Sequence, residues 1–310
     1  MSLAIVRDPR PGGPDCVLAI GSFDGVHRGH RALLERVVAE AAELGVQPAV
    51  LTFEPLPREL LFPDRAPPRL SSLPAKLEAF ACAGIRVAYV CRFTRAYASL
   101  AAEDFARLLR THHGARRVLV GKDFRFGARR AGDVALLRAE GGRLGYEVET
   151  LATVADGEVR VSSTRVREAL SSGDLSLASQ LLGRPYAISG RVRHGEKLGR
   201  RLGFPTANIA LPRGRPPMTG VFAVRCLGAA TRGLEGVASL GYKPAVTANG
   251  PATLEAFLFD FSGDLYGRRL TLEFLSKLRD EANYASLDEL VAQIRRDCDG
   301  ARAYFRELGT

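Results

Sequence analysis

The sequence predicts an α/β domain with a parallel sheet, followed by a small antiparallel β-barrel or sandwich that ends in a helix. Strand and helix patterns alternate through the first half, as they do where helices cover both faces of a parallel sheet. From Tyr186 to Lys277 strand patterns follow one another, broken by Gly, Pro and Asn. The change falls at Gly183-Arg184-Pro185, so we predict two domains, residues 1–184 and 185–310.

Five strands are predicted in the first half, at Val17–Ile20, Ala49–Phe53, Ile85–Cys91, Val118–Val120 and Tyr146–Leu151. The helices predicted between and after them are Arg31–Leu44, Pro74–Cys82, Glu103–Thr111, Val134–Gly142 and Val166–Leu170. Glycines end three of these helices, at Gly45, Gly84 and Gly114. A Pro-rich connection is predicted after the second strand, through Leu70.

The strands predicted in the second half are Ala187–Arg193, Val221–Leu227, Leu234–Leu240, Thr253–Phe261 and Arg269–Leu275, and no helix is predicted among them. A helix closes the chain after a capping box of Ser286 and Glu289. Its predicted buried stripe consists of Leu287, Leu290, Val291, Ile294 and Cys298.

The composition is that of a soluble globular protein, with 46% hydrophobic and 25% charged residues in 310. No apolar run reaches the ~20 residues of a membrane span, and the N-terminus lacks a signal-peptide core. Five scattered cysteines argue against a disulfide framework, so we expect reduced thiols and a cytoplasmic protein. The net charge of +10 suits anionic partners, but no basic block marks a nucleic-acid arm.

The segment Gly21-Ser22-Phe23-Asp24-Gly25-Val26-His27-Arg28-Gly29-His30 connects an apolar strand to a helix. Backbone N–H groups at a helix start and the helix dipole both attract an anion, and glycines allow close approach. His27 and His30 are three residues apart and can face one bound group. We therefore predict phosphate contacts here. The alternatives are a His-x-x-His metal pair, which lacks further ligands at zinc spacing, and a solvated helix cap.

Two further segments of the first half are candidates. Gly121-Lys122-Asp123-Phe124-Arg125-Phe126-Gly127 follows a strand and reaches the same rim of the sheet, although its aromatic pair could simply anchor a loop. In Arg160-Val161-Ser162-Ser163-Thr164-Arg165-Val166-Arg167, hydroxyls and arginines surround a helix start. Capping explains one hydroxyl, whereas hydroxyls, amides and guanidinium groups together suit a polyphosphate.

In the second half, the loop from Gly195 to Asn208 contains several glycines and cations and could be a mobile surface loop. Thr206 and Asn208 nevertheless offer two neutral oxygen ligands on one face of an extended segment, which suits a hydrated Mg²⁺ with nucleotide phosphates. Glu255 lies on the predicted strand Thr253–Phe261 among phenylalanines. A carboxylate there is either at the open end of a barrel or functional.

These motifs resemble the prokaryotic bifunctional riboflavin kinase/FMN adenylyltransferase (FAD synthetase) family, in order and through nearly the whole chain. The first is similar to the His-x-Gly-His signature of nucleotidylyltransferases. The segment Gly199-Arg200-Arg201-Leu202-Gly203-Phe204-Pro205-Thr206-Ala207-Asn208 is similar to the riboflavin kinase signature. The resemblance implies a Rossmann-like nucleotidylyltransferase domain and then a small antiparallel β-barrel riboflavin kinase domain with a C-terminal helix.

The resemblance also implies roles for individual residues. Glu255 is expected to be the general base of the kinase, and His27 and His30 are expected to act in adenylyl transfer. Thr206 and Asn208 are the expected Mg²⁺ site, and Phe53, Phe124 and Phe126 the expected flavin contacts. The residues expected to bind ATP or its phosphates are Gly21, Phe23, Gly25, His27, His30, Asp123, Arg160, Ser163, Thr164, Arg167, Gly195, Gly199, Thr206 and Asn208.

Three positions depart from the usual family residues. Leu56 and Phe257 stand where His is usual, and Ser239, within the matching stretch Gly236–Pro244, stands where Asn is usual. The implied function is phosphorylation of riboflavin to FMN and adenylylation of FMN to FAD, with ATP as co-substrate and Mg²⁺ as cofactor. We expect small-molecule substrates, no nucleic acid, no membrane, and a monomer or transient homo-oligomer. The rivals are a nucleotidylyltransferase for another phosphate, such as phosphopantetheine, and a flavin- or RNA-binding regulator.

Overall fold

The structure is a computed structural model that describes residues 2–151, 155–156, 159–195, 198–212, 214–228, 233–242 and 252–309. Its internal contacts divide the chain into two compact units. The first comprises Met1–Pro67 and Leu73–Ser162, and the second comprises Pro68–Ser72 and Ser163–Thr310. The domain boundary near residue 184 stays a prediction, because this grouping assigns the segment just before it to the second unit.

Six strands form a parallel sheet in the first unit: β1 Ala4–Val6, β2 Cys16–Ile20, β3 Gln47–Glu54, β4 Val87–Arg92, β5 Ala115–Gly121 and β6 Glu147–Leu151. Their spatial order is β1-β4-β3-β2-β5-β6. The order reverses at β2, which lies between β3 and β5, and a crevice opens at such a point beyond the carboxyl ends of the strands. Gly21 directly follows β2, so the histidine motif begins at this crevice.

The helices of the first unit are α1 Arg28–Leu44, α2 Pro57–Leu61, α3 Leu73–Cys82, α4 Arg95–Ala98, α5 Ala102–Thr111 and α6 Val134–Leu144. Two 3-10 turns, Pro63–Arg65 and Ala128–Arg130, and a short ribbon of β7 Ala155–Asp156 with β8 Val159–Arg160 complete the unit. The sheet is covered on both faces, because Leu18 belongs to a buried cluster with Phe105 while Ala19 belongs to another with Leu34. The prediction of a parallel sheet between helices is therefore confirmed.

The second unit begins with two helices, α7 Ser163–Ser172 and α8 Leu175–Leu182. Its strands are β9 Tyr186–Arg193, β10 Ala207–Ile209, β11 Gly220–Leu227, β12 Leu234–Tyr242, β13 Ala252–Leu258 and β14 Arg269–Arg279. They close an antiparallel barrel in the order β10-β13-β12-β11-β14-β9. Of the two predicted alternatives, the barrel is therefore correct. A short helix, α9 Leu198–Arg201, lies between β9 and β10, and α10 Leu287–Leu308 ends the chain.

Helix α10 packs against the outside of the barrel. Its buried residues Cys298, Ala301 and Phe305 share a cluster with Val221 and Val237 of the barrel wall. Because side chains alternate along a strand, every second residue of β13 faces this outer side and the others fill the barrel interior. Leu254, Ala256 and Leu258 are the buried interior set, so Glu255 and Phe257 face outwards.

Several predictions for the second unit were wrong in detail. The prediction of no helix between the strands missed α9, which has only four residues. Strand β13 ends at Leu258 rather than Phe261, because Asp260 has a φ of +52° and turns the chain. Leu287 was predicted to be buried, but it is 55% exposed because it is the first residue of α10, beyond the contact with the barrel.

Candidate functional sites

The turn after β2 has an uncommon backbone. Phe23, Gly25 and Val26 have φ angles of +48°, +86° and +43°. Residues other than glycine rarely adopt this region, so surrounding contacts must hold the turn. The Phe23 ring is buried and packs edge-on against Phe80, with ring centroids 5.2 Å apart. Since the Phe23 ring is buried, the phosphate contact predicted for this residue concerns its backbone.

Two donors hold the carbonyl oxygen of Ser22, just before that turn. The ammonium group of Lys76 donates to it at 3.2 Å, and the hydroxyl of Thr52 donates at 3.4 Å. Both donor side chains are completely buried. Gly21, which was predicted to bind phosphate, uses its own N–H to donate to the Leu51 carbonyl at 3.0 Å.

His27 and His30 lie together at the N-terminus of α1. His27 is the N-cap residue, and its Nδ1 accepts a hydrogen bond of 3.2 Å from the His30 N–H. The two imidazole rings stack, with centroids 3.6 Å apart and an interplanar angle of 13°. The two rings therefore lie on the same side of the helix start, and the shared bound group stays a prediction. Because Nδ1 of His27 accepts, a neutral His27 ring carries its proton on Nε2.

The environment of His30 favours a neutral ring. Burial, the neighbouring His27 and the positive charge of Lys76 lower the pKa of His30 well below its usual value. Its Nδ1 is buried and has no hydrogen-bond partner within the described part of the chain. A buried nitrogen without a partner is less costly as a lone pair than as a charged N–H, which agrees with the lowered pKa.

Aromatic rings gather near the carboxyl ends of β3, β4 and β5. Phe53 packs edge-on against Phe93 at 5.7 Å, and Phe124 stacks on Phe126 at 5.5 Å. Phe53 and Phe126 are buried members of the same cluster, against which Phe124 is partly buried. The structure thus places the three predicted flavin contacts in one aromatic cluster.

Two of the predicted phosphate contacts form an ion pair with each other. The Asp123 carboxylate contacts the Arg160 guanidinium group, and both side chains are largely exposed. An exposed ion pair contributes little stability, so a phosphate could replace the carboxylate at low cost. Ser163 and Thr164 are the first two residues of α7, in the second unit, where the Arg167 Nε donates to the Pro68 carbonyl at 2.6 Å.

In the barrel, Glu255 lies between Asn208, a predicted magnesium ligand, and Ser239 of the stretch that matches the family. It pairs with Asn208 of β10 on one side and with Ser239 of β12 on the other. The Thr206 hydroxyl donates to the Glu255 carboxylate at 3.1 Å. Directly paired residues of neighbouring strands point to the same face, so these polar groups form one row on the outside of the barrel.

The glycine loop approaches this row closely. A Cβ atom at Gly195 would lie 2.4 Å from the Asn208 amide nitrogen, and one at Gly199 would lie 3.3 Å from the Thr206 hydroxyl. Between them, Glu196 and Lys197 lie outside the described residues, as do Lys243 and Pro244 of the other matching stretch. Predicted residues that are far apart in sequence therefore meet at one place on the barrel.

Sequence reasoning missed Lys76, although a signal was present. Lys76 precedes Phe80 by four residues, so it lies on the same face of α3 as that buried ring. A lysine on the apolar face of a predicted helix is unusual enough to suggest a buried partner. Thr52 lies within the predicted strand Ala49–Phe53, and nothing in the sequence places its hydroxyl on Ser22.

The described residues contain no cluster of three or more His, Cys, Asp or Glu side chains that could hold a metal ion. All five cysteines are free thiols. Among the helices that the structure describes, none combines the length and apolar character required to cross a bilayer.

Comparisons with known proteins match both halves of the chain. A family model described as FAD synthetase matches residues 11–165, and one described as riboflavin kinase matches residues 182–305. A curated relative from Escherichia coli K12, a bifunctional riboflavin kinase/FMN adenylyltransferase, is 47% identical over 94% of this chain and 93% of its own length. A relative of the same name from Pseudomonas fluorescens is 46% identical over 95% and 94%.

A solved structure also covers both units. It is described as a macrolide-efflux protein from Streptococcus pneumoniae and has 29% sequence identity and a TM-score of 0.79. The match spans 95% of this chain and 97% of that one. The two proteins therefore share the order and fold of a parallel-sheet unit and a barrel unit.

Proposed function

The chain belongs to the family of bacterial bifunctional riboflavin kinase/FMN adenylyltransferases, and from that premise we propose which residues carry its two reactions. The first half is the FMN adenylyltransferase and the second half is the riboflavin kinase. One observation carries the residue assignment: each half contains one compact polar site, and its residues match the family motif of that half.

In adenylyl transfer, a phosphate oxygen of FMN attacks the α-phosphorus of ATP. The bond between the α-phosphorus and the bridging oxygen to the β-phosphorus breaks, and pyrophosphate leaves with the negative charge. We assign His27, His30 and the first N–H groups of α1 to the stabilisation of that charge, supported by their position at the crevice beside β2. Such catalysis needs positioning and charge but no covalent intermediate.

The remaining contacts of this site are assigned from the turn, the motifs and the aromatic cluster. The backbone of Phe23 and Gly25 is assigned to the phosphates, because the turn directly precedes the helix start. Asp123 and Arg160 are assigned to the nucleotide, as are Ser163, Thr164 and Arg167 on the basis of their motif. The aromatic cluster containing Phe53, Phe124 and Phe126 is assigned to the flavin ring, since stacked aromatic surfaces suit a planar ligand.

In the kinase half, Glu255 is assigned as the general base. It accepts the proton of the riboflavin 5′-hydroxyl while that oxygen attacks the γ-phosphorus of ATP, and ADP leaves. The hydrogen bond from Thr206 orients the carboxylate, and the row with Asn208 and Ser239 places it among polar groups rather than within the apolar barrel core. General bases of this kind contribute typically about 10²–10⁴-fold to the rate.

The oxygen ligands that this site offers fit a magnesium ion. The Thr206 hydroxyl donates a hydrogen bond to Glu255, which leaves the lone pairs of the hydroxyl oxygen for a cation, and the Asn208 amide adds a second neutral oxygen. Thr206 and Asn208 would hold Mg²⁺ together with the ATP phosphates. When bound, the ion neutralises phosphate charge during transfer.

One incubation tests the function. The protein is mixed with riboflavin, ATP and Mg²⁺, and FMN and FAD are separated by chromatography. We expect FMN to appear first and FAD to follow, and supplied FMN with ATP to give FAD alone. Failure to form FMN from riboflavin would refute the kinase assignment, and failure to convert supplied FMN would refute the adenylyltransferase assignment. We also propose that the protein acts in the cytoplasm on small molecules alone. We propose that it is a monomer or transient homo-oligomer, and sedimentation with and without substrates tests this oligomeric state.

A further inference from the structure

Lys76 is a buried charged residue of the first unit to which no role in adenylyl transfer has been assigned. It lies on α3 and its side chain is 0% exposed. A buried ammonium group is costly unless its hydrogen bonds and its charge serve the structure around it. The position of Lys76 beneath the turn that precedes α1 therefore requires an explanation.

The hydrogen bond from Lys76 controls the orientation of one peptide group. The Ser22 carbonyl and the Phe23 N–H belong to the same planar trans peptide and point in opposite directions. With the carbonyl oxygen held by Lys76 at 3.2 Å, the Phe23 N–H must point away from Lys76. Within the described residues this N–H has no acceptor, and it lies four residues before the His27 cap of α1.

The charge of Lys76 also reaches the histidine pair. Lys76 is one of the three causes that lower the pKa of His30, after burial and the neighbouring His27. The ammonium group contacts the Ser22 carbonyl in the turn that leads into α1, so its charge raises the electrostatic potential near the start of that helix. A positive charge behind a helix N-terminus adds to the attraction of the dipole for an anion.

We propose that Lys76 is a positioning residue of the adenylyl-transfer site. By holding the Ser22 carbonyl, it directs the Phe23 N–H towards an ATP phosphate and adds positive charge behind that phosphate. Thr52 shares the Ser22 carbonyl and supplies a neutral hydrogen bond only. This inference rests on the proposed function of the same site.

The test compares Lys76→Met with Thr52→Val in the full chain. Methionine keeps the length of the side chain and removes the charge and the donor, whereas valine removes only the neutral donor. For FAD formation from supplied FMN, we expect kcat/KM for ATP to fall about 100-fold in Lys76→Met, the size of loss typical of misplaced groups, and less than about fivefold in Thr52→Val. Riboflavin phosphorylation by the same preparations should stay at the wild-type rate.

A second readout does not depend on activity. The ring signals of His30 are assigned by NMR through their loss in His30→Gln and are titrated in wild type and in Lys76→Met. We expect a higher pKa of His30 in Lys76→Met. If Lys76→Met fails to fold, Lys76→Gln, which keeps a neutral donor, is measured by both assays and should show the same directions.

Two outcomes would overturn the proposal while wild type still makes FAD: equal kinetics for the lysine and threonine variants, or an unchanged pKa of His30 in Lys76→Met. A wild-type protein that makes no FAD would instead remove the adenylyltransferase function itself. In that case the His30 titration still decides whether the Lys76 charge acts on the histidine pair.

Discussion

The hydroxyl of Thr206 donates a hydrogen bond of 3.1 Å to the carboxylate of Glu255, and the two residues are separated by 49 positions in the sequence. The bond links the end of the glycine loop to strand β13. It joins a proposed magnesium ligand to the proposed general base, so the cation and the base would share one site. Under this proposal the kinase chemistry takes place on the outer face of the barrel.

Glu255→Gln should lower kinase kcat by about 10²–10⁴-fold and leave the adenylylation of supplied FMN unchanged. Glutamine keeps the shape of the side chain but cannot accept the proton, and the loss should fall on kcat more than on the riboflavin KM. Steady-state assays of both reactions measure this. Glu273→Gln, also on a strand of the barrel wall, is the control and should retain normal kinetics. A kinase kcat within about twofold of wild type, only ~0.4 kcal/mol of barrier, would exclude Glu255 as the base.

Gly195→Ala should impair the kinase because the added methyl group has no room. Its Cβ would lie 2.4 Å from the Asn208 amide nitrogen, so Asn208 or the loop must move. We expect the KM for ATP to rise about tenfold or more, with FAD formation from FMN unaffected. Gly142→Ala, where no atom lies within 4 Å of the new Cβ, is the control. Unchanged ATP kinetics in Gly195→Ala would show that Asn208 does not need its present position.

His30→Ala should cut FAD formation and spare FMN formation. Removing one donor to developing charge typically costs ~2.7–4 kcal/mol, or about 10²–10³ in rate. Chromatographic assays with supplied FMN measure the first reaction, and assays with riboflavin measure the second. His112→Ala, at the end of α5, is the matched control. An adenylylation rate equal to wild type would remove His30 from the mechanism.

Much of the fold was predictable because local patterns determine it. The alternation of strands and helices predicts the parallel sheet, and Gly45 ends α1 with a φ of +65°, as a glycine after a helix often does. The capping box at α10 is partly as expected: the Ser286 hydroxyl accepts from the Glu289 N–H, but the Glu289 carboxylate accepts from Ala285. Strand β1, with three residues, is too short to show a period.

The candidate sites were predictable as motifs but not as assemblies. The spacing of His27 and His30 on one helix start predicts their contact, because three residues make nearly one turn. No spacing predicts that Lys76 reaches Ser22, since that contact depends on how α3 packs beneath the turn. The register that sets Glu255 between Asn208 and Ser239 likewise arises only when the barrel closes.

The first unit should lose stability as the pH falls below 6.5, partly through His113. Burial lowers the pKa of His113 to about 4, against the ordinary value of 6.5 for histidine. Between these values the unfolded chain binds a proton that the folded chain does not, so stability is full above pH 6.5 and is lost towards pH 4. One such group contributes up to about 1.4 kcal/mol per pH unit. His113→Gln keeps a donor for the Leu108 carbonyl and should reduce the slope of unfolding free energy against pH.

Urea unfolding followed by circular dichroism at pH 7 and pH 5 measures that slope. His112→Gln, at a partly exposed neighbouring position, removes only a charge that also lowers the pKa of His113 and should change the slope much less than His113→Gln. An identical pH dependence in His113→Gln and wild type would mean that His113 does not titrate differently in the folded and unfolded states.

The final prediction concerns α7 and α8, which the structure groups with the barrel although the sequence places the boundary near residue 184. Comparing fragments 163–310 and 184–310 tests whether the domain boundary lies before α7 or near residue 184. Helix α8 contacts β9 and β14, and its buried residues are Leu175, Ala178, Leu181 and Leu182. Burying one leucine contributes about 1.5–3 kcal/mol, so the shorter fragment should melt several degrees lower.

Both fragments should phosphorylate riboflavin and make no FAD, because Glu255, Thr206 and Asn208 remain and His27 and His30 are absent. The full chain, assayed in parallel, supplies the reference rate. Neither fragment contains Pro68, whose carbonyl accepts a hydrogen bond from Arg167. Because only the longer fragment contains Arg167, loss of this hydrogen bond affects only that fragment. Equal melting temperatures would favour a boundary at residue 184 and contradict the grouping of α7 and α8 with the barrel. A longer fragment that folds but has no kinase activity would show that the kinase half depends on the first unit.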